Sequence, residues 1–253
     1  MSPEAKHPHY GLLDTVRGIC IISMVAYHGM YDLVNILGFP FGWYNRWPGY
    51  LWQQSICWTF ILLSGMCWQL SRHHLRRGLL LVGCETAITL VILVVMPSQR
   101  ILYGVLCLLG LSTLLMIPLD KLFRNLPPWA GLIGALLLFG VTRNVSRGSL
   151  GFEGLVFCQL PEFLYTSDLF AVLGFHSPTF WSTDYFPLLP WFFLFCTGYF
   201  LWSLLDRSEK AKALLQPGLR PLSFLGRHSL VIYLAHQPVL MGLVTLLTWA
   251  FPH

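Results

Sequence analysis

Charge is what this sequence has least of. Only 11% of its 253 residues are Asp, Glu, Lys or Arg, where a soluble domain carries roughly a quarter. Too little polar surface remains to cover a core in water, so a soluble globular protein is excluded. Disorder and coiled coil go with it, since both need charge or polarity. The seven cysteines (Cys20, Cys57, Cys67, Cys84, Cys107, Cys158, Cys196) include no C-x-x-C pair and lie mostly in apolar runs, so they read as small core hydrophobes. No dense basic run is present, and the net charge of +5 therefore does not point to nucleic acid. P-loop, G-x-S-x-G, H-E-x-x-H and dinucleotide fingerprints are missing, which removes NTPase, serine-hydrolase, zincin and Rossmann readings. There is no internal repeat or low-complexity tract, and a single domain over residues 1–253 is expected.

What the chain has instead is apolar length. Hydrophobic residues make up 55% of it and aromatics 15%. A helix needs about 20 largely apolar residues to cross a bilayer, because lipid offers its backbone no hydrogen-bond partners. Seven segments meet or approach this: 12–37, 50–70, 78–96, 101–119, 128–142, 186–205 and 228–251, the fifth being short. The expected fold is all-α, a polytopic membrane helix bundle of about seven transmembrane helices. An eighth stretch, 155–175, is apolar but holds Pro161, Glu162 and Asp168, and is expected to be re-entrant or to lie in the outer interface.

Positive charge supports that count, because cytoplasmic loops retain Lys and Arg. With the N-terminus inside, Lys6, Arg72, Arg76, Arg77, Lys121, Arg124, Arg207, Lys210, Lys212, Arg220 and Arg227 fall on the cytoplasmic side, and only Arg46, Arg100, Arg143 and Arg147 outside. An eighth crossing would move the five-charge loop 207–227 outside. The expectation is an integral protein of the cytoplasmic (plasma) membrane with its N-terminus cytoplasmic and its C-terminus outside. The first apolar run holds Asp14 and Arg17 and lacks an A-x-A site, so it is expected to stay in the mature protein.

That first segment is the most informative. At roughly 100° per residue, Asp14, Arg17, His28, Asp32 and Asn35 fall within an arc of about 60° on one helix face. Ionisable groups in a membrane helix face a bundle interior or a wet cavity, because lipid penalises them. Asp14 and His28 stand about 21 Å apart along the axis. Two readings stay open for each. Asp14 and Arg17 are either an i,i+3 ion pair at the helix entrance or part of a site. His28 is either a neutral imidazole bridging helices or a general base, its tautomer fixed by a carboxylate such as Asp32.

Other groups carry the same double reading. Arg72, Arg76 and Arg77, in SRHHLRRG, are ordinary positive-inside charge or guanidinium donors for a phosphate, and Arg227 and His228 at the start of the last span invite the same two readings. His73 and His74 are adjacent and cannot share one site on a regular helix, which argues against a metal pair. Tyr233, His236 and Gln237 form a polar patch before Pro238, which is expected to kink the last helix; His236 serves there in proton transfer, in lining a passage, or in an interhelical hydrogen bond. Glu153, Glu162, Asp168 and Asp184 are outer-side carboxylates, either solvated loop charge or contacts for a cationic or hydroxylated acceptor. Trp43, Tyr44, Trp47, Tyr50, Trp52, Trp181 and Tyr185 fit an interfacial aromatic belt, and Ser64 and Gly65 fit close helix packing.

Four segments in order carry a family resemblance: LDTVRGICIISMVAYH, LLSGMCWQLSR, TDYFPLLPW and LGRHSLVIYLAHQPVL. The spacing of Arg17, ten residues, then His28 resembles the Arg-x10-His motif of transmembrane acyltransferases. Together the four are similar to the bacterial DUF1624 proteins, relatives of the catalytic domain of heparan-α-glucosaminide N-acetyltransferase. The likeness runs from about Leu12 to Leu240. It implies acyl transfer from cytosolic acetyl-CoA, through a bacterial inner membrane, to an acceptor on the far side, with no metal. By the same resemblance His28 is the catalytic histidine, and Arg17, with Asp14 beside it, organises the donor; the phosphate read for Arg72, Arg76, Arg77, Arg227 and His228 is then a CoA phosphate.

Three functions are weighed on these residues. The first is an acyltransferase in which His28, helped by Asp32, deprotonates an amine or hydroxyl of a glycan or similar acceptor held by Asn35, Asp184, His236 and Tyr233; an acyl-histidine is a variant of it. The second is a proton-coupled transporter or flippase using the same row as a relay, against which the lack of internal repeats counts. The third is a b-type haem protein with His28 and His236 as axial ligands. Expected partners are the bilayer, the acceptor and a second copy of the chain in a homodimer, with no nucleic acid.

Overall fold

The computed structural model describes residues 10–250; Lys6 and Phe251, the end of the last expected span, lie outside the described residues. Nine α-helices and one two-stranded hairpin are found among the described residues. The chain forms two compact units interleaved in sequence, one of Met1–Phe60 with Leu205–His253, the other of Ile61–Leu204.

Every expected span has its helix. They are α1 (Gly11–Tyr31), α2 (Trp47–Met66), α3 (His74–Val95), α4 (Val105–Phe123), α5 (Pro128–Val141), α6 (Leu188–Leu205) and, after the short α7 (Glu209–Leu215) and α8 (Arg220–Arg227), α9 (Ser229–Ala250). Six helical stretches are long and apolar enough to cross a membrane: Gly11–Ile36, His74–Val95, Val105–Phe123, Pro128–Arg147, Leu188–Leu205 and Ser229–Trp249. α2 has 20 residues, but Tyr50, Gln53, Gln54 and Ser55 in its first half make it less apolar. The fold is an all-α polytopic membrane bundle. Pro238 lies inside α9 without ending it.

In the first unit α1 and α8 press backbone against backbone. A methyl group built on Gly18 would stand 2.0 Å from the Leu222 carbonyl oxygen, and one on Gly226 would stand 2.0 Å from that of Asp14. Around this contact, Gly11 N–H donates to the Gln216 carbonyl (3.0 Å), and Leu219 N–H donates to Thr15 Oγ1 (2.9 Å). Thr15 and Ser223 hydroxyls, both buried, share a 2.9 Å hydrogen bond. Apolar burial drives little helix association in lipid, so close approach and hydrogen bonds carry it.

The second unit uses the same device. Gly65 of α2 and Gly198 of α6 meet reciprocally, their added methyls 2.0 Å from the Phe195 carbonyl and 2.1 Å from that of Leu62, which bears out the packing expected of Gly65. Gln69 of the turn after α2 donates to the Tyr199 carbonyl (3.0 Å). Trp68 Nε1 donates to the Thr113 carbonyl (3.1 Å).

Residues 155–175 contain no helix able to cross a membrane. They begin as the second strand of an antiparallel hairpin, β1 (Ser149–Phe152) and β2 (Leu155–Gln159), with a bulge between Leu150 and Gly151. Short 3-10 turns follow, the longest Glu162–Tyr165. Asn144, almost fully buried, stitches the hairpin closed by donating to the Glu153 (2.9 Å) and Leu155 (3.1 Å) carbonyls. Arg143 Nε holds Glu153 Oε1 at 3.0 Å. Asn144→Ala strands both carbonyls, so the hairpin is expected to weaken by about 1–3 kcal/mol; hydrogen exchange should rise across residues 149–159 while α5 stays protected.

The aromatic belt is narrower than expected. Trp43, Trp47 and Trp181 are exposed, but Tyr44 is buried and donates to the Tyr27 carbonyl (3.2 Å). Trp52 donates to Ser23 Oγ (2.8 Å), and Tyr185 to the Ala171 carbonyl (2.6 Å). Their polar tips bind protein rather than the interface. All seven cysteines are free thiols; Cys20 and Cys196 are buried, while Cys158 is exposed and departs from the core reading.

Candidate active site

The polar face of α1 turns inward for most of its length. Arg17 Nη1 donates to Asp14 Oδ1 at 3.0 Å, each side chain only 15% exposed. His28 is half-buried, and Asp32 is 1% exposed. Beyond Tyr31 the helix loosens into a π-helical turn, Asp32–Ile36, with Leu37 N–H donating to the Asp32 carbonyl. Such turns recur at functional sites. Asn35 falls within this turn. It is exposed and accepts from Asn45 Nδ2 (3.2 Å), and no hydrogen bond joins it to His28 or Asp32 among the described residues.

From α9, His236 and Gln237 meet this face. The His28 and His236 ring centroids are 4.8 Å apart at 60°, and Gln237 Nε2 donates to Asp32 Oδ1 (3.4 Å). His236 Nδ1 lies 2.5 Å from the Tyr233 carbonyl oxygen. A carbonyl only accepts, so the proton sits on Nδ1 and Nε2 is the bare acceptor. Tyr233 thus contributes its backbone to the site, and its ring lies 5.4 Å from that of His236.

Three buried atoms here have no hydrogen-bond partner: Asp32 Oδ2, His236 Nε2 and Gln237 Oε1. All three are acceptors. Buried polar atoms left unpaired are costly, and a molecule bearing N–H or O–H donors would satisfy them. Neither ring nitrogen of His28 has a hydrogen-bond partner among the described residues. At the levels between Arg17 and His28 runs an apolar groove of about 320 Å³, lined by Ile21, Ile22, Val25 and Ala26 of α1, Leu225 of α8 and Ile232 of α9.

Two imidazoles on opposite faces of a haem need two metal–nitrogen bonds of about 2 Å end to end, with a ring beyond each. Rings whose centroids are 4.8 Å apart and inclined at 60° leave no room for that plane, so these residues do not fit the haem reading.

The remaining expected site residues are more dispersed. In the second unit Arg72 and Arg76 are exposed and Arg77 is half-buried at the start of α3. His74 stacks on Trp68 at 3.9 Å while His73 is exposed, so the two histidines diverge as expected. In the first unit Arg227 and His228 are exposed at the end of α8. Of the carboxylates expected on the outer side, Glu153 pairs with Arg143 and Arg147. Asp168 accepts from Ser177 N–H (2.8 Å), and the Ser177 hydrogen bonds hold its carboxyl below the ordinary range. Glu162 lines an open cleft of about 740 Å³ with Gln159, Tyr165 and Thr166.

Asp184 serves the fold directly, its Oδ2 accepting from Val105 N–H (3.2 Å) at the start of α4. Glu85 joins it there: buried, and accepting from Gly104 N–H at 2.9 Å. Glu85 was absent from the expected set, although a carboxylate inside an apolar span is the signal that singles out Asp14 and Asp32. Both carboxylates suit the positive end of the helix dipole.

A family profile described as "Heparan-alpha-glucosaminide N-acetyltransferase, catalytic" matches residues 9–238, nearly the whole chain. The chain belongs to this family. No curated protein and no solved structure matches it. The heparan-α-glucosaminide N-acetyltransferase family is one of membrane acetyltransferases that in general use acetyl-CoA as donor. The matched range includes the polar row of α1 and its α9 partners, from Asp14 to Gln237.

Proposed function

We propose that the chain moves an acetyl group from cytosolic acetyl-CoA to an amine or hydroxyl of an acceptor, such as a glycan, at the outer face of the membrane, with His28 as general base. The observation that carries this is a group of buried, unpartnered acceptors, Asp32 Oδ2, Gln237 Oε1 and His236 Nε2, at the same helix contact as the His28–His236 ring pair. An acceptor's N–H or O–H completes their hydrogen bonding and is presented to an imidazole whose nitrogens are not otherwise engaged. His28 takes the proton as the acceptor's nitrogen or oxygen attacks the thioester carbonyl. The new bond to the acetyl carbon forms, the carbon–sulfur bond breaks, and the imidazolium returns its proton to the departing thiolate. Asp32 and His236 hold the acceptor, and orientation supplies much of the acceleration.

The donor enters from the cytosolic end. Arg17, held by Asp14, stands at that end of α1, and the groove between the Arg17 and His28 levels has the apolar lining that an acyl-thioester arm requires. Arg72, Arg76 and Arg77 stand in a loop that the charge bias assigns to the cytoplasm, and their guanidinium groups are of a kind suited to phosphate. The excess of Lys and Arg in the loops assigned to the cytoplasm supports this direction and a cytoplasmic N-terminus.

Purified protein should melt higher with acetyl-CoA, by the equivalent of about 2.7 kcal/mol at a hundredfold excess over Kd, and should acetylate an amino sugar when given labelled acetyl-CoA. A transporter or a cytochrome shows neither, and an absence of both responses defeats the proposal.

A further inference from the structure

α8 has a second face that the site does not use. It ends at Arg227, and α9, one of the helices able to cross the membrane, begins at Ser229. α8 therefore lies at the bilayer surface. Its inner side, with Ser223 and Gly226 buried, packs on α1. On its outer side Arg220, Phe224 and Arg227 follow at i, i+4 and i+7, within an arc of about 60°. All three are exposed, Phe224 by 54%. The His228 ring rests 4.3 Å from that of Phe224. Neither arginine has a carboxylate partner among the described residues, whereas nearby Lys212 has two.

We propose that the Arg220–Phe224–Arg227 face of α8 is a docking site for an anionic phospholipid. Phe224 enters the acyl boundary, as the apolar face of an interfacial helix does. The two arginines one turn to either side meet lipid phosphates, for which planar guanidinium forks are suited, and the added negative charge of an anionic leaflet attracts both. A zwitterionic lipid offers no net charge to two cations that the protein leaves uncompensated, so the charge pattern selects the anionic class. This inference needs only the membrane location of the chain, and it stands or falls separately from acetyl transfer.

The test is thermal stability of the full chain in neutral detergent, titrated with dioleoyl phosphatidylglycerol, dioleoyl phosphatidylcholine or acetyl-CoA. Phosphatidylglycerol should raise the melting temperature at lower concentration than phosphatidylcholine, and added salt should erase the difference. R220Q/R227Q should weaken phosphatidylglycerol binding about thirtyfold, at about 1 kcal/mol per arginine, while R220K/R227K keeps most of it. Should R220Q/R227Q not fold, the salt titration of the unmodified chain and R220K/R227K decide the matter. Equal affinity for the two lipids, salt-independent binding, or a folded R220Q/R227Q that binds phosphatidylglycerol normally overturns the proposal. So does a loss of acetyl-CoA affinity with lipid binding intact, which would make this face a donor-phosphate site.

Discussion

His28→Ala should lower acetyl transfer by about 10²–10⁴-fold, the range contributed by a positioned general base, while the protein remains folded in the membrane. The side chain is half-buried on α1 and no hydrogen bond ties it to the rest of the protein among the described residues, so its removal takes little from the fold. It faces His236 at 4.8 Å and lies on the same helix as Asp32, and its loss leaves the acceptor bound without a group to take its proton. The expected signature is a large fall in kcat with a small change in KM, and the same rise in melting temperature with acetyl-CoA as the unmodified chain shows. His236→Ala behaves differently, because its Nδ1 is committed to the Tyr233 carbonyl and only Nε2 faces the acceptor. It should raise KM more than it lowers kcat. Near-normal turnover by His28→Ala would remove the base from the mechanism, and equal kinetic profiles for the two variants would contradict the division of roles.

Gly226→Ala should cost at least about 3 kcal/mol of stability, at the upper end of overpacking penalties, a more than hundredfold drop in the folded-to-unfolded ratio. The added carbon would sit 2.0 Å from the Asp14 carbonyl oxygen. That obstacle is backbone and cannot rotate away. The opposing contact, Gly18 against the Leu222 carbonyl, is equally close, so Gly18→Ala should be as damaging and the pair should not be additive. Gly242 of α9 supplies the contrast, since nothing lies within 4 Å of an added methyl there and Ala gains helix propensity; Gly242→Ala should be neutral or stabilising by about 0.5–1 kcal/mol. Thermal unfolding in one detergent compares all three. A Gly226→Ala protein that melts with the unmodified chain would mean that α1 and α8 are not in backbone contact.

Much of this was legible along the chain because lipid imposes a simple rule. A bilayer demands about 20 apolar residues and internally satisfied backbone, so each expected segment became a helix, with ends mostly shifted by a few residues. The same rule made Asp14, Arg17, His28 and Asp32 conspicuous and turned them away from lipid. It applied equally to Glu85, whose burial beside Gly104 shows that a membrane carboxylate can serve a helix terminus instead of chemistry.

Asn35 and the segment 155–175 mark where one-dimensional reading stopped short of the local structure. A fixed angular step holds only while the helix stays regular, and Asn35 lies in the π-helical turn Asp32–Ile36, where it is exposed and bonded to Asn45. Pro161, Glu162 and Asp168 told against a spanning helix in 155–175, as found, but only the buried amide of Asn144 and the pairing with 149–152 made its first residues a strand of a hairpin. Tyr44 followed the same logic: its ring matched an interfacial composition, but a carbonyl on α1 took its hydroxyl.

The sequence by itself determined that the protein lives in a membrane, where its long helices fall, and which helix carries the ionisable row, because those follow from hydropathy and period along one segment. Tertiary structure alone decided that His236 and Gln237, more than 200 residues further on, complete that row, and that bare glycine backbones hold α8 against α1. Contacts between distant segments depend on how helices approach one another in space, and hydrogen-bond partners left empty on burial are visible only once the neighbours that fail to fill them are in place.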